Sequence, residues 1–327
     1  MVASRASALA LVECVPNFSE GRSPEVMDAI ESSVAEVPDV VVLDRHADAV
    51  HNRMVLTLAG RVGPIAEAAF RAVRTAGALI DLGQHRGVHP RIGATDVLPF
   101  VPLASTPMAV CVELAERVGR RIAAELDIPI YLYGEAARRP ERRALLAIRR
   151  GEYERLRDVV AEDPDRIPDF GPRRLGPAGA TAVGARRFLI AYNVTLATDR
   201  REVADAIARA IRASSGGLPA VQARAFPTAL PEVMQVSVNL LDVEVTPLHA
   251  VFARILAEAE RWQVELIASE LVGMVPTAVL ADTVKHDLRF ARLDAHSVVE
   301  ARLLESVLAA QGAPLSPGEQ ALLRDRG

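Results

Sequence analysis

The chain has 327 residues, half of them hydrophobic, and a formal net charge of -4 at pH 7. That length buries more than one sizeable core, so two domains or subdomains are expected, and the mild acidity gives no reason to expect nucleic acid or an anionic membrane surface as a partner. Lys285 is the single lysine, which leaves arginine, with its planar fork, as the cation for gripping carboxylates.

The apolar run within Met1–Leu11 is too short to span a membrane and has no cleavage-site pattern, so neither a signal peptide nor a membrane segment is expected. Leu9 to Val15 reads as a first strand and Pro16–Gly21 as a polar turn. Ser23-Pro24 then opens a helix, the serine capping and the proline taking the first helical position, with Val26, Met27, Ile30 and Val34 on one face. Asp39–Leu43 and Met54–Leu58 read as strands flanking a polar loop, Arg45–Arg53. An alanine-rich helix from about Pro64 to Ile80 leads into a second polar loop. Thr106-Pro107 is expected to open the next helix by the same device, Pro129–Tyr133 to form a strand, and Arg138–Arg157 to be charged and helical. Cys14 and Cys111 form no CxxC pattern, so free thiols and a cytoplasmic location are expected.

Asp163–Pro172 reads as a connector, and the glycine- and alanine-rich stretch to Gly184 as the domain boundary. Beyond it, Phe188–Leu196 is a strand, Arg201–Ala213 a helix, and Met234–Val243 alternates cleanly, with Gln235, Ser237 and Asn239 on its polar side. Thr246-Pro247 opens a helix to about Trp262, Val264–Ser269 is a strand, and Val275–Thr283 starts a helix. Ser316–Glu319 is a capping box that opens a short final helix. Strands and helices interleave in both halves, and no sequence repeat is detectable. The expected class is α+β, of the α/β sandwich type, each half a β-sheet with helices packed on it.

The stretch from His85 to Val97 carries the chemistry. It holds His85, Arg86, His89, Arg91 and Asp96 among Gly87, Pro90 and Gly93, more polar groups than a core element tolerates without partners. Pro90 pushes His89 toward an extended backbone, so His89 belongs in a loop between a helix and a strand, where catalytic groups concentrate. His85 and His89 have helical metal-ligand spacing, but Gly87 and Pro90 remove the helix and no third ligand stands nearby, so no metal is expected. A structural loop with Arg91 paired to Asp96 is one reading. The other is a catalytic loop with His89 as acid–base, because imidazole titrates near neutral pH.

The Arg45–Arg53 loop, with His46, Asp48, His51, Asn52 and Arg53, is a solvated surface or a wall of the same site, where Asp48 would orient an imidazole. Phe170–Gly179 is a linker or a backbone surface for a flat ligand; it lacks the glycine patterns of nucleotide sites. Arg186, Tyr192 and Asn193 flank an apolar strand, and Ser269–Pro276 sets Glu270 between a strand and a helix start.

These motifs together resemble the formiminotransferase family. The resemblance is carried by Leu11–Gly21, His89–Val97, Tyr131–Ala137, Ile148–Glu154, Pro168–Pro172, Gly184–Asn193, Gln235–Asn239 and Ser269–Pro276, in family order. It implies an N-terminal subdomain (1–180) carrying the catalytic histidine, a C-terminal subdomain (181–300) and a helical tail (301–327). Helices would lie on each sheet's outer face, with the sheets facing across a folate-binding groove. The implied activity moves a formimino group from N-formiminoglutamate to tetrahydrofolate, a co-substrate, without metal and in a homodimer. Members fused to a cyclodeaminase imply a separate deaminase partner here.

By the same resemblance His89 is the catalytic acid–base, with Asp48 or His46 assisting. Phe170, Gly171, Pro172, Arg173, Gly176 and Gly179 belong to the folate site, although a family tryptophan is missing there. Asn52, Arg53, Arg91, Arg186 and Asn193 are the substrate-binding candidates. Val88 replaces a glutamate common before the histidine, and His46 stands near a family acid. N-formylglutamate as donor and a non-catalytic folate-binding role are the alternatives.

Overall fold

The structure, a computed structural model, describes residues 10–87, 89–103, 106–228 and 230–310. Val88 and the Ser316–Glu319 capping box lie outside them. The chain forms two compact units that part between Arg186 and Arg187.

In the first unit the elements follow in order as β1 (Leu11–Cys14), β2 (Asn17–Phe18), α1 (Pro24–Ala35), β3 (Val40–Asp48), β4 (Arg53–Arg61), α2 (Val62–Leu79), β5 (Thr95–Pro102), α3 (Met108–Leu126), β6 (Ile130–Gly134), α4 (Leu145–Arg149), α5 (Glu152–Val159) and β7 (Thr181–Ala185). They build one seven-stranded sheet. β1 and β2 share a single lane between β4 and β5, interrupted at Val15 and Pro16. Across the sheet the lanes run β3, β4, β1/β2, β5, β7, β6; the first four are antiparallel and the last three parallel.

Alternation along the strands divides the sheet into two chemical faces. Val12, Cys14, Leu56, Leu58, Leu98 and Phe100 face α1, α2 and α3 and form the main core. Toward β7 and β6 the opposite face is covered by the chain after β6: Tyr131, Tyr133 and Ala182 pack with Ile148 of α4 and Leu156 of α5. Toward β3 and β4 that same face is polar, bearing Asp44, His46, Asp48, Arg53 and Thr57 in cross-strand register, beside Glu13 and Asn17.

Several local expectations are met and others change. Ser23 caps α1, its hydroxyl accepting from the Val26 N–H at 3.3 Å with Pro24 next in the chain. Thr106 does not cap α3; its hydroxyl donates to the Leu11 carbonyl, 2.8 Å away, and ties the strand lane to the loop before the helix. The Arg45–Arg53 loop is shorter than expected, because β3 runs through His46 to Asp48. Arg138–Arg157 is not one helix: a 3-10 turn at Pro140–Arg143, α4 and α5 share it, and Gly151 breaks the last two with φ +83. The stretch expected to be the boundary contributes β7 to the first sheet, so the units separate after it.

The second unit holds β8 (Ile190–Leu196), α6 (Arg201–Ile211), β9 (Val221–Pro227), β10 (Met234–Leu240), α7 (Leu248–Arg261), β11 (Leu266–Val272), α8 (Thr277–Asp287) and α9 (Val299–Ala310). Its four-stranded sheet runs β11, β8, β10, β9, every neighbour antiparallel. Strand β9 is not apparent in the sequence, since two of its inward residues, Ala223 and Ala225, are small. Met234, Val236, Val238 and Leu240 are buried with α6 and α7, and Gln235, Ser237 and Asn239 lie on the other face.

The two units share a topology that the sequence conceals. In the first, β1-α1-β3-β4-α2-β5 gives lanes β3, β4, β1, β5; in the second, β8-α6-β9-β10-α7-β11 gives lanes β9, β10, β8, β11. Both place helices on one face and polar side chains on the other.

Glycine marks the tightest approach. A Cβ on Gly93 would lie 2.0 Å from the Ala180 carbonyl oxygen, whereas Gly63, in the first turn of α2, has nothing within 4 Å. Gly93→Ala is expected to lower unfolding stability by about 2–3 kcal/mol and Gly63→Ala to raise it by up to ~1 kcal/mol. Urea titration of the two variants checks both signs.

Candidate active site

The loop after α2 is held from three sides. The Leu82 N–H donates to the Pro177 carbonyl at 2.8 Å and the Ala94 N–H to Ala178 at 2.8 Å, which lays 177–179 against the loop. Asn52, in the β3–β4 turn with φ 49, accepts from the Gly21 N–H at 2.9 Å and donates its side-chain amide to the Arg86 carbonyl at 3.0 Å. Arg91 reaches α5, with Nη1 3.0 Å from Glu152 and Nη2 2.7 Å from Glu154.

The two histidines then have different fates. His85 is buried, with Nδ1 accepting from Arg91 Nε at 3.1 Å and Nε2 donating to the Asn52 carbonyl at 3.1 Å. Both nitrogens are engaged, and burial lowers its basicity. Among the described residues His89 is bonded only through Nδ1, which lies 2.8 Å from the Pro90 carbonyl and 2.8 Å from Arg53 Nη1. Nδ1 cannot serve both at once: with its proton toward Pro90, Nε2 keeps the free lone pair a general base needs, whereas with Arg53 donating to Nδ1 the proton sits on Nε2.

Beneath His89 stands a buried carboxylate between two guanidiniums. Asp96 has no solvent exposure; its Oδ2 accepts from Arg53 Nη1 at 3.1 Å and from Arg149 Nη2, and its Oδ1 accepts from the Ile92 N–H at 3.0 Å. Asn17 Oδ1 takes two further Arg53 donors, at 2.5 and 3.1 Å. The sequence expectation of an Arg91–Asp96 pair is therefore corrected: each has other partners, because α4 and α5 bring their own charged residues to the loop.

The remaining candidates differ in what they touch. Arg53 touches His89 directly. Asp48 lies on the same sheet face but serves His51, its Oδ2 2.7 Å from His51 Nδ1 and its Oδ1 accepting the Val50 and His51 N–H groups. The His51 ring in turn sits edge-on to His89, centroids 6.3 Å apart. His46 is exposed on edge strand β3, opposite Val55. Asn52 and Arg91 are engaged in holding the loop. Arg186 follows β7 and lies close to Glu13 and Tyr133, and Asn193, in the second unit, donates to Glu270 at 3.1 Å.

The glycine-bearing segment divides as well. The Phe170 ring packs by α3 with the Arg120 and Arg138 guanidiniums 4.3 and 4.7 Å from its centroid, so cations already cover it. Gly171 approaches the Ile128 carbonyl, Pro172 is half-buried and Arg173 is exposed. Gly176 and Gly179 lie in the segment packed against the His85–Asp96 loop: a Cβ on Gly179 would strike the Ile92 carbonyl at 2.3 Å, while Gly176 faces open space. Sequence reasoning named His51 only as a member of its loop and Asp96 only as a partner for Arg91, and did not single out Arg149. The Asp48-to-His51 spacing was a local signal for the first; nothing local points to Arg149.

His89, Ser19, His51, Asn52, Arg53, His85 and Arg91 line a tight niche. An open depression of about 640 Å³ adjoins it, with His85 and Arg91 as the shared wall and Arg22, Arg86, Glu152 and Glu154 around it.

Burial, then Arg53 and Arg149, push His89 from 6.5 down to about 3. Glu13, on the same sheet face, is pushed by burial up from 4.5 to about 7, partly offset by Arg186. The two shifts act on stability with opposite signs. An unfolded chain protonates its histidine below 6.5 while folded His89 stays neutral to about 3, so His89 makes stability fall as pH drops through that window. Glu13 contributes stability fully below 4.5 and loses it as pH rises through about 7. His89→Gln is expected to flatten the acid limb of the stability–pH curve and Glu13→Gln the limb from pH 5 to 8, read from urea midpoints across pH.

Comparison with known proteins places this geometry in a family. The description "Formiminotransferase domain, N-terminal subdomain" matches residues 11–186, and "Formiminotransferase domain" matches residues 191–312. A glutamate formimidoyltransferase of Thermoplasma acidophilum is 44% identical over 90% of this chain and 98% of its own length. One from Streptococcus pyogenes is 42% identical over 90% and 99%. The formimidoyltransferase-cyclodeaminase of Sus scrofa is 46% identical over 83% of this chain, which spans 51% of that longer protein. With both subdomain descriptions matched and near-complete overlap with relatives of this identity, the chain belongs to the formiminotransferase family.

Proposed function

We propose that this chain transfers the formimino group of N-formimino-L-glutamate to N5 of tetrahydrofolate, with His89 as general acid–base. Its transferase class follows from relatives named glutamate formimidoyltransferase over nearly its whole length. The observation that carries the role of His89 is its single-sided engagement: among the described residues Nδ1 alone is bonded, whereas His85 in the same niche has both nitrogens occupied.

The chemistry is a direct exchange at one carbon. N5 of tetrahydrofolate attacks the formimino carbon and gains positive charge as the new C–N bond forms. His89 Nε2 takes the N5 proton and delivers it to the glutamate nitrogen as the old C–N bond breaks. The ring begins neutral, as a base must, because burial and two guanidiniums disfavour its cation. Glutamate departs with the proton, and the formimino group remains on N5. The exposed backbone beside Gly176 is the part of the glycine segment suited to a flat ligand.

His89→Ala is expected to reduce transfer by about 10²–10⁴-fold while tetrahydrofolate binding persists. Transfer is read as methenyltetrahydrofolate after acid treatment. Equal turnover by the variant removes His89 from the reaction. Turnover from N-formylglutamate but not from N-formiminoglutamate reassigns the donor.

A further inference from the structure

We propose that Arg53 and Arg149, joined through Asp96, form the seat for the α-carboxylate of the donor, and that filling this seat readies His89 for proton transfer. This deepens the formimino-transfer reading and rests on it.

Charge and hydrogen-bond capacity make the argument. Two guanidiniums meet one carboxylate, and the other direct partners of Arg53, Asn17 and the unprotonated His89, are neutral, so the cluster keeps one positive charge in surplus. Both oxygens of Asp96 are engaged, one serving both arginines and the other the Ile92 N–H. The Nε of Arg149 is buried and has no partner among the described residues. A surplus cation and an unused donor, both largely withdrawn from water, suit an incoming anion.

The anion's identity follows from the donor's connectivity. Its departing nitrogen and its α-carboxylate sit on the same carbon. A histidine that protonates that nitrogen is therefore within a few ångströms of that carboxylate, and Arg53 Nη1 is 2.8 Å from His89 Nδ1. Arg91 is a poorer seat, because Glu152 and Glu154 already neutralise it.

The groups around His89 are Arg53 on β4, Arg149 on α4, Asp96 on β5 and His51 in the β3–β4 turn, with His85 and Arg91 lining the same niche. In the empty site burial and the two guanidiniums oppose its protonation, while Asp96 and the hydrogen bond to the Pro90 carbonyl favour it. A carboxylate on Arg149 cancels the surplus charge and lets the imidazole accept the N5 proton.

The test compares N-formiminoglutamate with its α-carboxamide, N-formimino-isoglutamine, on wild type, Arg149→Gln and Arg149→Lys. Wild type is expected to lose about 10²-fold in kcat/KM on the α-carboxamide. In Arg149→Gln the acid itself falls toward that level, the two donors come within about tenfold, and the KM for tetrahydrofolate holds; Arg149→Lys lies between. A purely structural arginine would lower both donors together and leave their ratio intact. A second measurement follows the His89 ring by NMR titration in wild-type protein. Glutamate should raise its pKa and isoglutamine should not. An unchanged donor ratio in Arg149→Gln, or a His89 titration indifferent to glutamate, overturns the proposal. Absence of any transfer from N-formiminoglutamate by wild type overturns the reading of function, and the titration still judges the carboxylate seat.

Discussion

A carboxylate sealed from water between two guanidiniums governs this site. Burying Asp96 as an anion is costly unless its charge and lone pairs are met, and losing one partner of such a pair leaves an uncompensated charge in the interior. Three separate parts of the chain meet it: Arg53 from β4, Arg149 from α4 and the backbone of Ile92. The requirement thereby fixes α4 over the sheet and holds Arg53 where it contacts His89. The loop is oriented by this electrostatic knot more than by its own conformational preferences.

The sheet beneath explains why a polar site fits there. In both units a βαββαβ order sets helices on one face alone. In the first unit the chain between β6 and β7 covers part of the second face, toward β6, and leaves the part bearing Asp44, His46, Asp48, Arg53 and Asn17 to polar chemistry. A strand whose residues alternate between an apolar core and such a face carries its functional groups at every second position, which is where Arg53 stands relative to Met54 and Leu56.

Much of this was legible in the sequence, within physical limits. The Ser23-Pro24 cap and the alternation of β10 are local signals, and local signals survived folding. Thr106-Pro107 misled because the Leu11 carbonyl offered the hydroxyl a tertiary partner. His46 and Asp48 looked like loop residues because an edge strand with one polar face has no apolar periodicity to reveal it. Asp48 proved to orient an imidazole, as its residue type suggested, but the nearer one, His51. Phe170 entered the folate-site candidates by resemblance alone, and no local signal shows that α3 and the segment after β6 bring Arg120 and Arg138 over its ring. Arg149 was invisible, since its significance lies in a contact with a residue 53 positions earlier.

The near-absence of lysine acquires meaning at this site. Burial drives titratable groups to their neutral forms, and it does so here in both directions: His89 is held unprotonated and Glu13 is pushed toward its acid form. A buried lysine would yield its proton under the same pressure. Guanidinium resists it: Arg53, largely buried beside a second cation, is lowered only to about 10 and stays charged at neutral pH. In a site where imidazole and carboxylic acid both turn neutral on burial, arginine keeps a fixed positive field, and Asp96 survives as an anion because it lies between two of them. The electrostatics of the niche are thus set by groups that keep their charge on burial, Arg53 and Asp96.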